Sequence, residues 1–194
     1  MHSPLKLLLV SFTLPQLGGL ETMTRLIARE LSRHGQIETR IVTPSSGEWD
    51  PELPSVTLHR QPSLAELQNH YQWADVVFFN HAYIRLALPL VWMPHKPFVL
   101  SMSGYMPPAR VNRWRGRLTG WLIVWLLHRA NAVVACNSWC QSLMPVPSTV
   151  VRNPYDNEKF VISEVDGARQ GDLLFAGRVT QSKGCEELVE AYAS

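Results

Sequence analysis

Cysteine is scarce in this chain, which has only Cys136, Cys140 and Cys185 among 194 residues. Three cysteines make no disulfide framework. Cys136 and Cys140 stand four apart with no histidine at zinc-site spacing, so they read as reduced thiols, and no metal site is expected. Net charge is small as well, 18 Lys+Arg against 16 Asp+Glu, or +2. That balance excludes a strong nucleic-acid footprint, and an apolar content of 46% excludes intrinsic disorder. Long apolar runs are missing: the uncharged stretch Leu118–Leu127 between Arg117 and His128 is about half of the roughly twenty residues that a membrane span requires. The apolar run Leu7–Val10 behind Lys6 leads to Pro15 and Gly18-Gly19 with no small-residue cleavage site, so it reads as a strand rather than a secretory leader. The G-x-G-x-x-G fingerprint is also absent, which argues against a nucleotide-dependent dehydrogenase or epimerase.

What is present is alternation. Leu5–Ser11 is a continuous apolar run, as in a strand buried on both faces. Leu20, Met23, Leu26, Ile27 and Leu31 recur at helical spacing up to Gly35, which supplies the stop. Glu38–Thr43 and Val56–His59 read as strands and Leu64–Trp73 as a helix. Ala74–Phe79 reads as a strand, Tyr83–Met93 as a helix cut at Pro94, and Pro97–Met102 as another strand. Asn112–Arg129 reads as a helix and Ala132–Cys136 as a strand. Strands alternating with helices predict a parallel sheet in a doubly wound α/β domain over 1–162. Ser163–Gly171 is polar and reads as a linker, after which Asp172–Ala176 predicts a fresh strand and Cys185–Ala193 a helix. This makes 172–194 the start of a second α/β domain, too short to build its own core.

In such sheets ligands bind beyond the carboxyl ends of the strands. Gly18 and Gly19 precede the first helix, where backbone can approach a ligand and helix N–H groups are free. His81 closes one strand and Ser103-Gly104 follows the next. Arg178 and Lys183 stand ahead of the last helix, a suitable pair of cations for a diphosphate. The basic and aromatic stretch Arg110, Arg113, Trp114, Arg115, Arg117, Trp121 and Trp125 suits an anionic membrane surface at its Arg-rich end, with the Trp-rich end packed inside.

Together these segments resemble the GT-B glycosyltransferases of the large retaining family 4. The matching pieces are Gly18-Gly-Leu-Glu21, Leu26–Leu31, Ala74-Asp-Val-Val77 with His81, Lys96–Leu100 leading to Ser103-Gly104, Ala130–Val134 with Ser138, and Val150–Asp156 with Phe160. The most specific is Leu174–Gly184, similar to that family's donor-phosphate loop. The resemblance implies two Rossmann-like domains, with an acceptor-side domain here and a truncated donor-side domain. It also implies retaining transfer of a sugar from a nucleotide-sugar to a glycan or lipid-linked acceptor in polysaccharide or glycolipid assembly. Arg178 and Lys183 would hold the donor phosphates, and Gly18, Gly19, Glu21, His81, Ser103 and Gly104 would line the substrate side. No metal or resident cofactor is implied. The expected location is cytoplasmic, with possible peripheral contact at the inner membrane face through Arg110–Arg117. Ser103-Gly104 replaces the family's usual His-Gly, and its Glu-x7-Glu element is missing. The chain is therefore expected to be inactive alone, with half of a split transferase or a non-catalytic binding or membrane-docking module as the alternatives.

Overall fold

The computed structural model describes residues 3–12, 18–47, 56–104, 114–160, 175–177, 179 and 183–193. The chain divides into two compact units, 1–159 and 160–194.

The first unit is built on a seven-stranded, wholly parallel sheet. In chain order the strands are β1 (Leu5–Val10), β2 (Ile37–Thr43), β3 (Val56–Arg60), β4 (Val76–Asn80), β5 (Phe98–Met102), β6 (Ala132–Ala135) and β7 (Thr149–Val150). Their spatial order is β3-β2-β1-β4-β5-β6-β7, so the order reverses between β1 and β4. The helices are α1 (Gly19–Arg33), α2 (Leu64–Trp73), α3 (Trp114–Arg129) and the single turn α4 (Ser138–Ser142). This is the Rossmann-like, doubly wound architecture that the alternation predicts.

The two faces of the sheet carry separate cores. Leu8, Val10, Val77, Phe79, Phe98 and Leu100 belong to a core shared with Leu67 and Tyr71 of α2 and Leu126 and Leu127 of α3. Leu9, Ile41 and Val56 pack with Ala28 of α1 in the other. Successive residues of β1 thus feed opposite cores, as the period of a strand requires. Ser63 starts α2 with a capping box, accepting from the Glu66 N–H while the Glu66 carboxylate accepts from the Ser63 N–H at 2.8 Å. Asp75 clamps the entry to β4, its carboxylate accepting from the Lys6 N–H at 2.9 Å.

Three expectations are corrected. Tyr83–Met93 is not an α-helix: it folds as turns and a 3-10 segment at Leu88–Val91, because Pro89 has no N–H to donate and its ring crowds the preceding turn. Trp121 and Trp125 of α3 are not packed inside; both face solvent, because Leu126 and Leu127 turn the opposite side of the helix to the sheet. In the second unit, α5 (Cys185–Ala193) forms as predicted, whereas Phe175 and Ala176 carry no strand. Residues 172–174 and the linker 163–171 lie outside the described residues.

Candidate functional site

The carboxyl ends of β1 and β4 meet where the strand order reverses, with Val10 paired to Phe79 and Asn80 to Ser101 of β5. The N-terminus of α1 closes this crevice. Gly18 caps the helix in extended backbone without a side-chain cap, and the first helical hydrogen bond runs from the Thr22 N–H to the Gly18 carbonyl at 3.0 Å. The N–H groups ahead of Thr22 therefore have no helical acceptor.

A buried polar network pins that helix end to the sheet. Asn80, fully buried, donates through Nδ2 to the Leu20 carbonyl at 2.9 Å and to Thr24 Oγ1 at 2.7 Å. The Thr24 hydroxyl donates to the same Leu20 carbonyl at 2.9 Å. Having used its one hydrogen there, Thr24 can only accept from Ser11, 3.1 Å away. The second polar atom of Asn80, Oδ1, is buried with no hydrogen-bond partner.

His81 follows at once with φ 97°, a left-handed backbone that a non-glycine residue adopts only under strain. Its N–H donates to the Ser101 carbonyl at 2.9 Å, extending the β4–β5 ladder through the strained residue. Burial lowers its pKa, so the ring is neutral near pH 7, and its Nδ1 has no partner. The ring stands edge-on to Tyr83, with centroids 5.7 Å apart, and Tyr83 in turn stacks on Phe12 at 4.9 Å. Burial pushes the Tyr83 phenol up to about 12, against a hydrogen bond from the Phe12 backbone; the nearby Glu21 carboxylate adds to the rise. Phe12 itself is half exposed, at 51%.

The structure brings Gly18, Gly19, Glu21 and His81 to one crevice and places Ser103 and Gly104 on the neighbouring β5 end. Neither helix-cap glycine is demanded by backbone geometry. A Cβ on Gly19 would meet open space, and one on Gly18 would press only on the mobile end of Glu21. The Glu21 carboxylate thus lies beside Gly18 at the start of α1, the end of a helix that favours negative charge. Ser103 accepts from Cys136 Sγ at 3.4 Å through its carbonyl. Arg178 lies outside the described residues. Lys183 is exposed in the second unit, and the phosphate role expected for the pair rests on sequence alone. Ser11, Phe12, Thr24 and Tyr83 join the site without having been singled out in the sequence. Asn80, likewise not singled out, anchors it.

A separate groove of about 420 Å³ lies between α1 and segment 153–158. Its charges are mutually satisfied, Arg29 on Asp156 and Arg33 on Glu158, each at 3.2 Å. It reads as a structural tie. Among the described residues no group of three His, Cys, Asp or Glu could hold a metal ion, and none of the three cysteines is in a disulfide.

No family model matches the chain, and no curated protein matches it. Solved structures do. A Rossmann-fold NAD(P)-binding family protein from Shigella flexneri is 13% identical with a TM-score of 0.46, over 68% of this chain and 66% of that one. A putative epimerase from Bacteroides thetaiotaomicron is 13% identical with a TM-score of 0.44, over 69% and 71%. A DNA/pantothenate metabolism flavoprotein from Streptococcus pneumoniae is 12% identical with a TM-score of 0.42, over 71% and 82%. The chain thus spans just under two thirds of the first of these proteins. Likenesses this distant carry no argument about activity.

The glycosyltransferase reading is corrected by these findings. None of these structures is a glycosyltransferase, no family model supports one, and nothing found supports the alternatives of a split transferase or a non-catalytic module. The physical reason is that the matching fragments, such as Gly18–Glu21, Ala74–Val77 and Ala130–Val134, are turns and strand starts that any doubly wound sheet requires. Of the one specific fragment, Leu174–Gly184, positions 174, 178 and 180–182 lie outside the described residues. The fold expectation stands and the family expectation does not. No helix among the described residues is long and apolar enough to cross a membrane.

Proposed function

We propose that the first unit binds a nucleoside-type small molecule in the crevice between β1 and β4. The observation that carries this reading is half-exposed Phe12, stacked on Tyr83 beside the strained His81, at the point of the sheet where the strand order reverses. Doubly wound sheets bind ligands at that point, and an open aromatic face accepts a planar base. The polar groups around it favour hydroxyls over phosphate. The Glu21 carboxylate lies over the start of α1 and repels a second anion, but it accepts hydrogen bonds from ribose hydroxyls. Neutral His81 provides a further hydrogen-bonding group without adding positive charge. The missing glycine fingerprint is consistent with this, since a pyrophosphate needs a bare helix terminus and this one is covered by its own carboxylate.

Calorimetric titration with adenosine, uridine and ADP tests the reading. Nucleosides are expected to bind, and the diphosphate to add no affinity. Glu21→Gln should weaken nucleoside binding while improving that of ADP relative to adenosine. Absence of heat with all three ligands, or ADP binding far more tightly than adenosine to the unmodified chain, would refute it.

A further inference from the structure

Helix α3 is apolar around nearly its whole circumference, yet only one side reaches the core. Leu126, Leu127 and Gly120 are buried, while Trp114, Leu118, Trp121, Leu122 and Trp125 are exposed, Trp121 at 62% and Trp114 at 70%. Their spacing of four, three, one and three residues puts all five on one stripe, about 17 Å long at 1.5 Å per residue. Soluble helices normally give that side to charge; an apolar stripe of this length in water marks a docking surface.

The charge around the stripe identifies what docks. From residue 76 to 155 the chain has eight arginines and lysines and not one Asp or Glu, whereas the remainder has ten against sixteen. The +2 total therefore hides a strongly basic segment. Arg115 and Arg117 project on either side of the stripe, and the Arg115 guanidinium lies 5.3 Å from the Trp114 ring centre. At the far end Arg129 sits 4.7 Å from the Trp125 ring and donates to the Leu90 and Pro94 carbonyls, at 2.8 and 3.1 Å. This places the turn with exposed Val91 and Trp92 beside the stripe.

We propose that α3 seats the protein peripherally on an anionic phospholipid bilayer, with Trp114, Leu118, Trp121, Leu122 and Trp125 at the acyl boundary and Arg115 and Arg117 on lipid phosphates. Tryptophan and arginine are the residue types that favour that depth, with apolar rings below and cations at headgroup level. A second copy of the same basic face would meet like charge, and a nucleic-acid groove has no place for a leucine–tryptophan ridge. The inference is independent of the crevice ligand.

The test is flotation of the full chain with phosphatidylcholine vesicles, with and without phosphatidylglycerol, read alongside tryptophan emission. Binding to the anionic vesicles with a blue shift is expected, and it should weaken as salt is raised. Arg115→Gln and Arg117→Gln should each lower the affinity for anionic vesicles by about fivefold. Leu118→Ser with Trp121→Ser should lower it by more than about tenfold without changing the far-ultraviolet circular dichroism spectrum. Failure to float, equal binding to neutral vesicles, or indifference to both sets of substitutions would overturn the proposal. So would an RNA complex without vesicle binding, or a dimer in sedimentation that the serine variant abolishes.

Discussion

Arg29 Nη1 lies 3.2 Å from Asp156 Oδ2, joining the middle of α1 to the segment that follows β7 across 127 positions of sequence. Asp156 also accepts from the Glu158 N–H at 3.1 Å. The hydrogen bond from Arg29 holds the Asp156 carboxyl below the usual aspartate range and raises the Arg29 guanidinium. A depressed carboxylate contributes stability that is present above the unfolded pKa, about 4, and is lost as the pH falls through the lower folded value. Asp156→Asn should therefore lower the melting temperature at neutral pH, and the gap from the unmodified chain should close below about pH 4. Thermal melts across that range check this.

A second pH effect comes from His59 and His70, whose rings lie 4.1 Å apart. Burial, then the neighbouring His59 and Arg40, lowers His70 to about 4, and burial lowers His59 too. Both are neutral in the folded chain at pH 7. The unfolded chain takes up their protons first, near pH 6.5, so stability is full above that value and falls as the pH drops towards 4. His70→Gln should flatten the melting curve in this window, which denaturant titrations at several pH values will read.

Removing the Tyr71 hydroxyl leaves the Leu86 carbonyl, which it reaches at 2.7 Å in the core, without that donor. Tyr71→Phe should cost about 1–2 kcal/mol in equilibrium unfolding. Leu100→Ala, in the middle of a central strand, should cost more, about 2–5 kcal/mol.

The left-handed backbone at His81 stores strain of about 1–3 kcal/mol, which glycine would relieve. His81→Gly should be at least as stable as the unmodified chain while binding nucleosides less well. A variant that loses both together would make His81 a packing residue only.

Sequence patterns carried the sheet well and the site poorly. Runs such as Leu7–Val10 and Val76–Phe79 are apolar enough to enter a parallel sheet wherever they stand, and the periodicity of Leu20–His34 places α1 to within one residue at each end. The α4 turn and the two-residue β7 are too short to leave a period. In α3 the helix itself is legible, but with apolar residues on nearly every side it gives no sign of which side meets the core, so the expected burial of Trp121 and Trp125 fails. At the crevice, His81 and Gly18–Glu21 stand out in sequence. Asn80, Thr24 and Ser11 do not, because their hydrogen bonds form only once β1, β4 and α1 have converged. The basic segment 76–155 is also present in the sequence, but averaging charge over all 194 residues conceals it.

The most direct measurement of the central claim is an amide chemical-shift titration of the isotopically labelled chain with adenosine. The account predicts saturable shifts concentrated at Phe12, Gly18–Glu21, His81 and Tyr83, with little change along α3 or around Asp156. Unchanged spectra at millimolar adenosine, or shifts confined to residues away from the β1–β4 crevice, would contradict it.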